Sequence, residues 1–127
     1  MNARESLFYP ALRAALGGHF VRVENTIGRG TPDVWWSFGS HHYWIEVKVF
    51  ENGIVKIRPE QMAWMTKESS NGGTCFIIAK NYEEKYIAVW KFAYHAFAFK
   101  KPYHYPIYAP TFTVTRPSQI KPAINNL

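Results

Sequence analysis

The chain has 127 residues, 47% of them apolar and 17% aromatic, which suits one domain around a single core and excludes disorder over most of its length. Its formal charge is +6 and its pI near 9.5, a balance that attracts polyanions, of which nucleic acid is the common one inside cells. A single cysteine, Cys75, excludes an internal disulfide framework and any cysteine-cluster zinc site, so a reducing, intracellular, cytoplasmic setting is expected.

No signal peptide is expected, since Arg4 and Glu5 come early and no long apolar stretch follows. The most apolar segment, residues 86–99, is interrupted by Lys91 and His95 and is too short to span a bilayer, so no membrane partner is expected.

Residues 2–16 read as a helix with Phe8, Leu12, Ala15 and Leu16 on one face, Asn2 as N-cap and Gly17-Gly18 as its end. Residues 19–27 read as a strand anchored by Phe20 and Val23, and 28–32 as a loop. Residues 33–38 and 41–49 are two strands around Gly39-Ser40, followed by a looser stretch over 50–57. A second helix starts near Pro59, a residue suited to the first helical position, and stops before Ser69. Residues 74–80 and 86–90 are two more strands joined by a polar turn, and Cys75 falls in the first of them as a core thiol. The order is α-β-β-β-α-β-β, an α/β class with a mixed sheet flanked by helices. Five prolines between 102 and 122, interleaved with aromatics, make 93–127 an extended C-terminal arm against the core or a partner subunit, and 1–92 the core proper.

The hairpin over 33–49 carries the chemistry. Gly at the first central position of a two-residue turn suits type II′, which sets Phe38 opposite His41 and therefore Asp33 opposite Glu46. Alternation puts Val34, Trp36, Phe38, Tyr43, Ile45, Val47 and Val49 on a core face, and Asp33, Trp35, Ser37, His42, Trp44, Glu46 and Lys48 on the other. Two carboxylates then stand with Cβ atoms about 4.5–5.5 Å apart, a cost that a divalent cation would remove. Lys48 shares their face, and the Val47 carbonyl offers a third oxygen. Hard oxygen ligands with positions left for water and phosphate describe a Mg²⁺ or Mn²⁺ site. The alternative is an exposed polar face with an ordinary Glu46–Lys48 pair.

The run Gly30-Thr31-Pro32-Asp33, then Ile45-Glu46-Val47-Lys48, then Gln61 on the next helix, resembles the PD-(D/E)XK nuclease superfamily, over residues 1–90. Among its branches it is most similar to the stand-alone viral-type replication-repair nucleases (VRR-NUC) found in phages, and to Holliday junction resolvases. The resemblance implies a restriction-endonuclease-like core and a Mg²⁺- or Mn²⁺-dependent endodeoxyribonuclease that leaves a 5′-phosphate. By position it implies Asp33, Glu46 and the Val47 carbonyl as metal ligands, Lys48 at the attacking water and the phosphoryl charge, and Gln61 positioning Lys48 or the nucleophile. Glu5 matches the family's first-helix acidic residue, which can complete the metal site as a further ligand, with Glu24 competing for that role; Glu5 also stands at capping-box spacing from Asn2. Arg29, Lys56, Arg58 and Lys67 are candidate phosphate contacts. Lys100, Lys101, His95 and His104 among aromatics suit strand or junction binding, or packing. His41 and His42 at the turn are expected to be exposed, and Trp35 and Trp44 to pack beneath the first helix. The expected partner is branched DNA, with a homodimer presenting two sites to paired strands. The competing readings are a catalytically inactive nucleic-acid-binding module on the same fold, and a nuclease for flap, single-stranded or RNA substrates.

Overall fold

Asn2 begins the fold by accepting the Glu5 N–H at 2.9 Å, while Glu5 Oε1 accepts the Asn2 N–H at 3.0 Å. This reciprocal capping box starts helix α1 (Ala3–Leu16), which ends at Gly17 in positive φ, as the sequence implies. The computed structural model describes residues 1–23 and 28–127.

Strand β1 (His19–Arg22) follows; the rest of the expected strand, including Glu24, falls largely outside the described residues. Strands β2 (Val34–Phe38) and β3 (His41–Val49) form the hairpin in the expected register, Phe38 opposite His41 and Val34 opposite Ile45. Gly39 has φ +57 and Ser40 is not in the positive-φ region, the signature of type II′. β2 begins one residue later than expected because Asp33 meets β3 through its side chain: Oδ2 accepts the Val47 N–H at 2.9 Å.

Residues 50–57 are more ordered than a loose stretch. Glu51 and Ile54 exchange backbone hydrogen bonds of 2.8 and 3.0 Å around Asn52-Gly53, both in positive φ, a small type I′ hairpin whose Asn-Gly signal is plain in retrospect. Helix α2 (Pro59–Ser70) runs two residues past its expected end, with Ser70 Oγ bonded to the Thr66 carbonyl at 2.8 Å.

Strands β4 (Cys75–Asn81) and β5 (Tyr86–Lys91) complete the centre, with β4 parallel to β3 and antiparallel to β5. The C-terminal segment is more regular than an extended arm. It supplies a hairpin, β6 (Phe97–Lys100) and β7 (Tyr103–Pro106), then β8 (Phe112–Val114) and helix α3 (Ile120–Asn125). β8 joins the main sheet, whose order is β1-β2-β3-β4-β5-β8.

Both faces of this sheet are covered, so β4 is a continuous apolar run rather than an alternating one. One face packs Val34, Trp36, Ile45, Val47, Phe76 and Ile78 against Phe8, Leu12 and Leu16 of α1 and Ile120 and Ile124 of α3. The other packs Cys75, Ile77, Ala88 and Trp90 against Met62 and Met65 of α2 and Phe97 of β6. The Trp44 ring meets Trp64 of α2 at 4.9 Å, not α1 as expected, because even-numbered residues of β3 face the α2 side. Trp35 lies instead among His19 and His42. His41 and His42 are exposed, and no described helix is long and apolar enough to cross a membrane.

Ile120 is fully buried against α1 and the sheet. Ile120→Ala should therefore cost about 2–5 kcal/mol of global stability, read as a lowered urea midpoint with one cooperative transition. An arm that docks independently would instead show a separate early transition and an unchanged main one.

Candidate active site at the carboxyl end of β3

The cleft lies where β3 leaves the sheet and α2 begins. Asp33 reaches it from the loop before β2, Glu46 and Lys48 from the α2-facing side of β3, and Gln61 from the first turn of α2. About 350 Å³ of space is enclosed there, with Glu5, Thr31, Glu51, Lys56 and Arg58 also on its walls.

Gly30 explains how the loop and helix come together. Its φ is +83, and a Cβ there would overlap the Glu60 carbonyl and stand 2.9 Å from the Gln61 nitrogen. Only glycine lets the loop carrying Asp33 rest on the backbone that carries Gln61. Thr31, buried beside it, donates its hydroxyl to the Gly28 carbonyl at 2.9 Å and tightens the same turn.

Gln61 uses both halves of its amide. Nε2 donates to Glu46 Oε2 at 2.7 Å, while Oε1 accepts Lys48 Nζ at 3.0 Å and the Arg58 N–H at 2.9 Å. The reversed amide would set its NH₂ against two donors, so this orientation is the one the network permits. Lys48 Nζ also lies 3.5 Å from Glu46 Oε2, with both side chains almost wholly shielded from water. The exposed polar face that the hairpin pattern also allowed is thus not what forms.

Glu46 is buried, and its Oε1 has no hydrogen-bond partner. Burial first, then the neighbouring Asp33 charge, push its pKa up to about 8, against the pull of Lys48; Glu5 adds to the rise. Burial also raises Asp33, opposed by the Val47 N–H and by Lys48. By contrast the Cys75 thiol, on the far side of the α2 packing, is pushed up to about 12 by burial and is inert.

The arrangement fits a hard divalent cation. A buried carboxylate oxygen lacks a partner, and a second carboxylate stands opposite across the strand pair. The Trp44 and Phe50 N–H groups engage β4, so the peptide groups of Val47, of opposite parity, face the β2 side. That directs the Val47 carbonyl toward Asp33. Among the described residues no three His, Cys, Asp or Glu side chains group as a metal set, so two carboxylates, this carbonyl and water would form the shell.

Of the remaining expected site residues, Glu5 lines the cleft while its carboxylate serves the α1 cap. Lys56 and Arg58 line it too, paired with Glu51 and Glu60 at 3.5 and 3.4 Å. Arg29 and Lys67 do not border the cleft. Glu24 lies outside the described residues. Glu51 and Thr31 were not anticipated. The Asn52-Gly53 turn is the signal that would have found Glu51, because it ends the strand alternation at that point.

The fold has a counterpart among solved structures. It resembles the structure of Hjc, a Holliday junction resolvase from the archaeal hyperthermophile Archaeoglobus fulgidus, with a TM-score of 0.59 and 18% identity, covering 83% of this chain and 84% of that one. The fold is restriction-endonuclease-like. No family model matches the sequence, and no curated protein matches it.

The raised carboxylate pKa fixes a pH trend. Folded Glu46 holds its proton from the ordinary 4.5 up to about 8, so without metal it stabilises the fold below that range and this contribution is lost as pH rises through it. Urea unfolding in EDTA should show the native chain weakening relative to Glu46→Gln between these limits. Parallel curves would mean that Glu46 is not buried as charge-averse as the geometry requires.

Proposed function

We propose that the chain is a divalent-metal-dependent endodeoxyribonuclease acting on branched DNA. The observation that carries this reading is a buried carboxylate, Glu46, with an unpartnered oxygen, set against the half-buried Asp33 and next to a lysine held by a glutamine. Pure binding of a polyanion has no use for such a pair, which repels phosphate unless a cation lies between. The G-x-P-D and I-E-x-K runs of the PD-(D/E)XK resemblance, closest to its VRR-NUC branch, fall on these same residues. The fold neighbour from A. fulgidus is a Holliday junction resolvase, which favours branched DNA over the other substrates.

Asp33, Glu46 and the Val47 carbonyl would hold Mg²⁺ or Mn²⁺. Such an ion, when bound, lowers the pKa of coordinated water and polarises a phosphoryl oxygen. The chain's own residues do the rest. Lys48 places its ammonium beside Glu46, where it meets charge that builds on the phosphorus oxygens during in-line attack. Gln61 fixes the Lys48 and Glu46 rotamers together, so the nucleophile's surroundings are set before substrate arrives. Glu5 completes the acidic wall of the cleft, and Lys56 and Arg58 contact flanking phosphates. Residues 1–92 then carry the chemistry. A two-fold dimer would present two such sites to the paired strands of a junction.

The test is cleavage of labelled four-way junction and linear duplex in Mg²⁺, Mn²⁺ or EDTA. Cutting should need metal and favour the junction. Asp33→Asn and Glu46→Gln should abolish it, and Lys48→Met should lower kcat by roughly 10²–10³-fold. Gln61→Ala should act more weakly, as a positioning residue. Tight binding without cutting in any metal would make this an inactive binding module and remove the catalytic roles.

A further inference from the structure

The charge of this chain is not spread evenly. From Lys85 onward there are six Lys and Arg and no Asp or Glu, whereas the first 84 residues hold nine of each sign. The whole net charge of +6 therefore belongs to the C-terminal third. Within it, Lys100 and Lys101 are adjacent and exposed at the tip of the β6–β7 hairpin.

That tip is joined to the cleft. Ile57 and His104 exchange two backbone hydrogen bonds, 2.8 and 2.7 Å, tying β7 to the segment between Lys56 and Arg58. Lys56 Nζ lies 5.2 Å from the centre of the Tyr103 ring, and Tyr103 pairs with Lys100 across the hairpin. Basic side chains thus run from the cleft wall (Arg58 and Lys56, paired with Glu60 and Glu51) over Tyr103 to Lys100 and Lys101, which form no ion pair among the described residues. Beside them Phe99 is 56% exposed, with the His104 ring tilted against it at 4.8 Å. Buried Phe97 anchors the base of the hairpin in the α2-side core, so the tip is held and not free to collapse.

We propose that the β6–β7 hairpin is a clasp for the nucleic-acid strand that leaves the cleft. Lys100 and Lys101 neutralise its phosphates, and Phe99 stacks on an unpaired base. A lysine pair with no ion pair among the described residues suits a polyanion, and an exposed ring beside it adds sequence-tolerant affinity for single strands. The clasp rests on reading the cleft as a nuclease site, and among branched substrates it adds affinity for those that carry an unpaired strand beside the scissile bond.

Binding is measured apart from chemistry, by anisotropy of a fluorescein-labelled duplex with a single-stranded tail, in EDTA over a salt series. Lys100→Gln/Lys101→Gln should weaken binding on the order of tenfold at ~0.1 M salt and lower the log–log salt slope by about 1.4–1.8. The control is Lys91→Gln/Lys121→Gln, which removes the same charge from the same acid-free segment. Lys121 sits over the Phe38 ring at the β2–β3 turn, and Lys91 shares a pocket with His41 there. That turn is seven residues of strand, about 23 Å, from Lys48. The control should keep the wild-type slope. Lys100→Arg/Lys101→Arg should restore binding, and Phe99→Ala should weaken the tailed duplex several-fold more than a blunt one. Equal losses in the two Gln pairs, or no binding by the wild type, overturn the clasp. A lysine-specific loss without metal-dependent cutting keeps the clasp and overturns the nuclease reading.

Discussion

Two carboxylates, the buried Glu46 and the half-buried Asp33, stand close together across an antiparallel strand pair, and much of the surrounding structure answers that charge. Were both ionised at about 5 Å, they would repel by on the order of 3 kcal/mol at an effective dielectric near 20. The Val47 N–H, the Gln61 amide and the Lys48 ammonium each neutralise part of the pair. They do not finish the task, because Glu46 Oε1 stays unpartnered and its pKa stays high. A buried group left unsatisfied at such a cost is what the proposed divalent cation would satisfy.

The fold brings these groups together by a chain of local constraints. The II′ turn fixes which residues of β2 and β3 are opposed, and therefore that Asp33 meets Glu46 and not its neighbour. A one-residue slip of either strand would turn its carboxylate toward the α1-side core and part the pair. β3, α2 and β4 form a parallel crossover unit, so α2 must begin near the carboxyl end of β3. Its first turn then overhangs Glu46 and Lys48, and Gln61 at that turn is the residue able to reach both. Gly30 lets the Asp33 loop lie against the same turn. Register, crossover and close approach converge on one point, and open α/β sheets commonly place ligands at such strand ends.

The elements that could be read from the sequence were those set by short-range patterns. The α1 cap, the hairpin register, the Pro59 start of α2 and the alternation of β3 depend on neighbours within a few residues. What escaped depended on distant partners. The two-faced burial of β4 reads the same in sequence whether α2 or α1 lies above, so Trp44 was assigned to the wrong helix. The regular structure after Phe92 was hidden because prolines mark breaks, not the short strands between them: β8 is three residues long and is a strand only because the edge of β5 is there to pair with it. The core of the candidate site, Asp33, Glu46, Lys48 and Gln61, was legible since it rests on one register and one helix start. Its walls were less so. Glu51 enters through a turn that interrupts alternation, and Arg29 and Lys67, near in sequence, are not on the cleft.

Charge segregation carries one further consequence. A cleft built around acidic side chains cannot itself attract a polyanion at long range, and the first 84 residues are neutral overall. For the proposed nucleic-acid substrate, attraction has to come from elsewhere on the molecule, and the acid-free C-terminal third is where the excess lies. At physiological salt the Debye length is about 8 Å, so such charge guides a strand into the cleft only if a continuous row of cations connects the two. The backbone pairing of Ile57 with His104 supplies the link, setting Lys56, itself paired with Glu51, against Tyr103 within one residue pair of the lysine tip. On this reading the acidic residues can be selected for their chemistry alone, because capture of the substrate is the task of a different part of the chain.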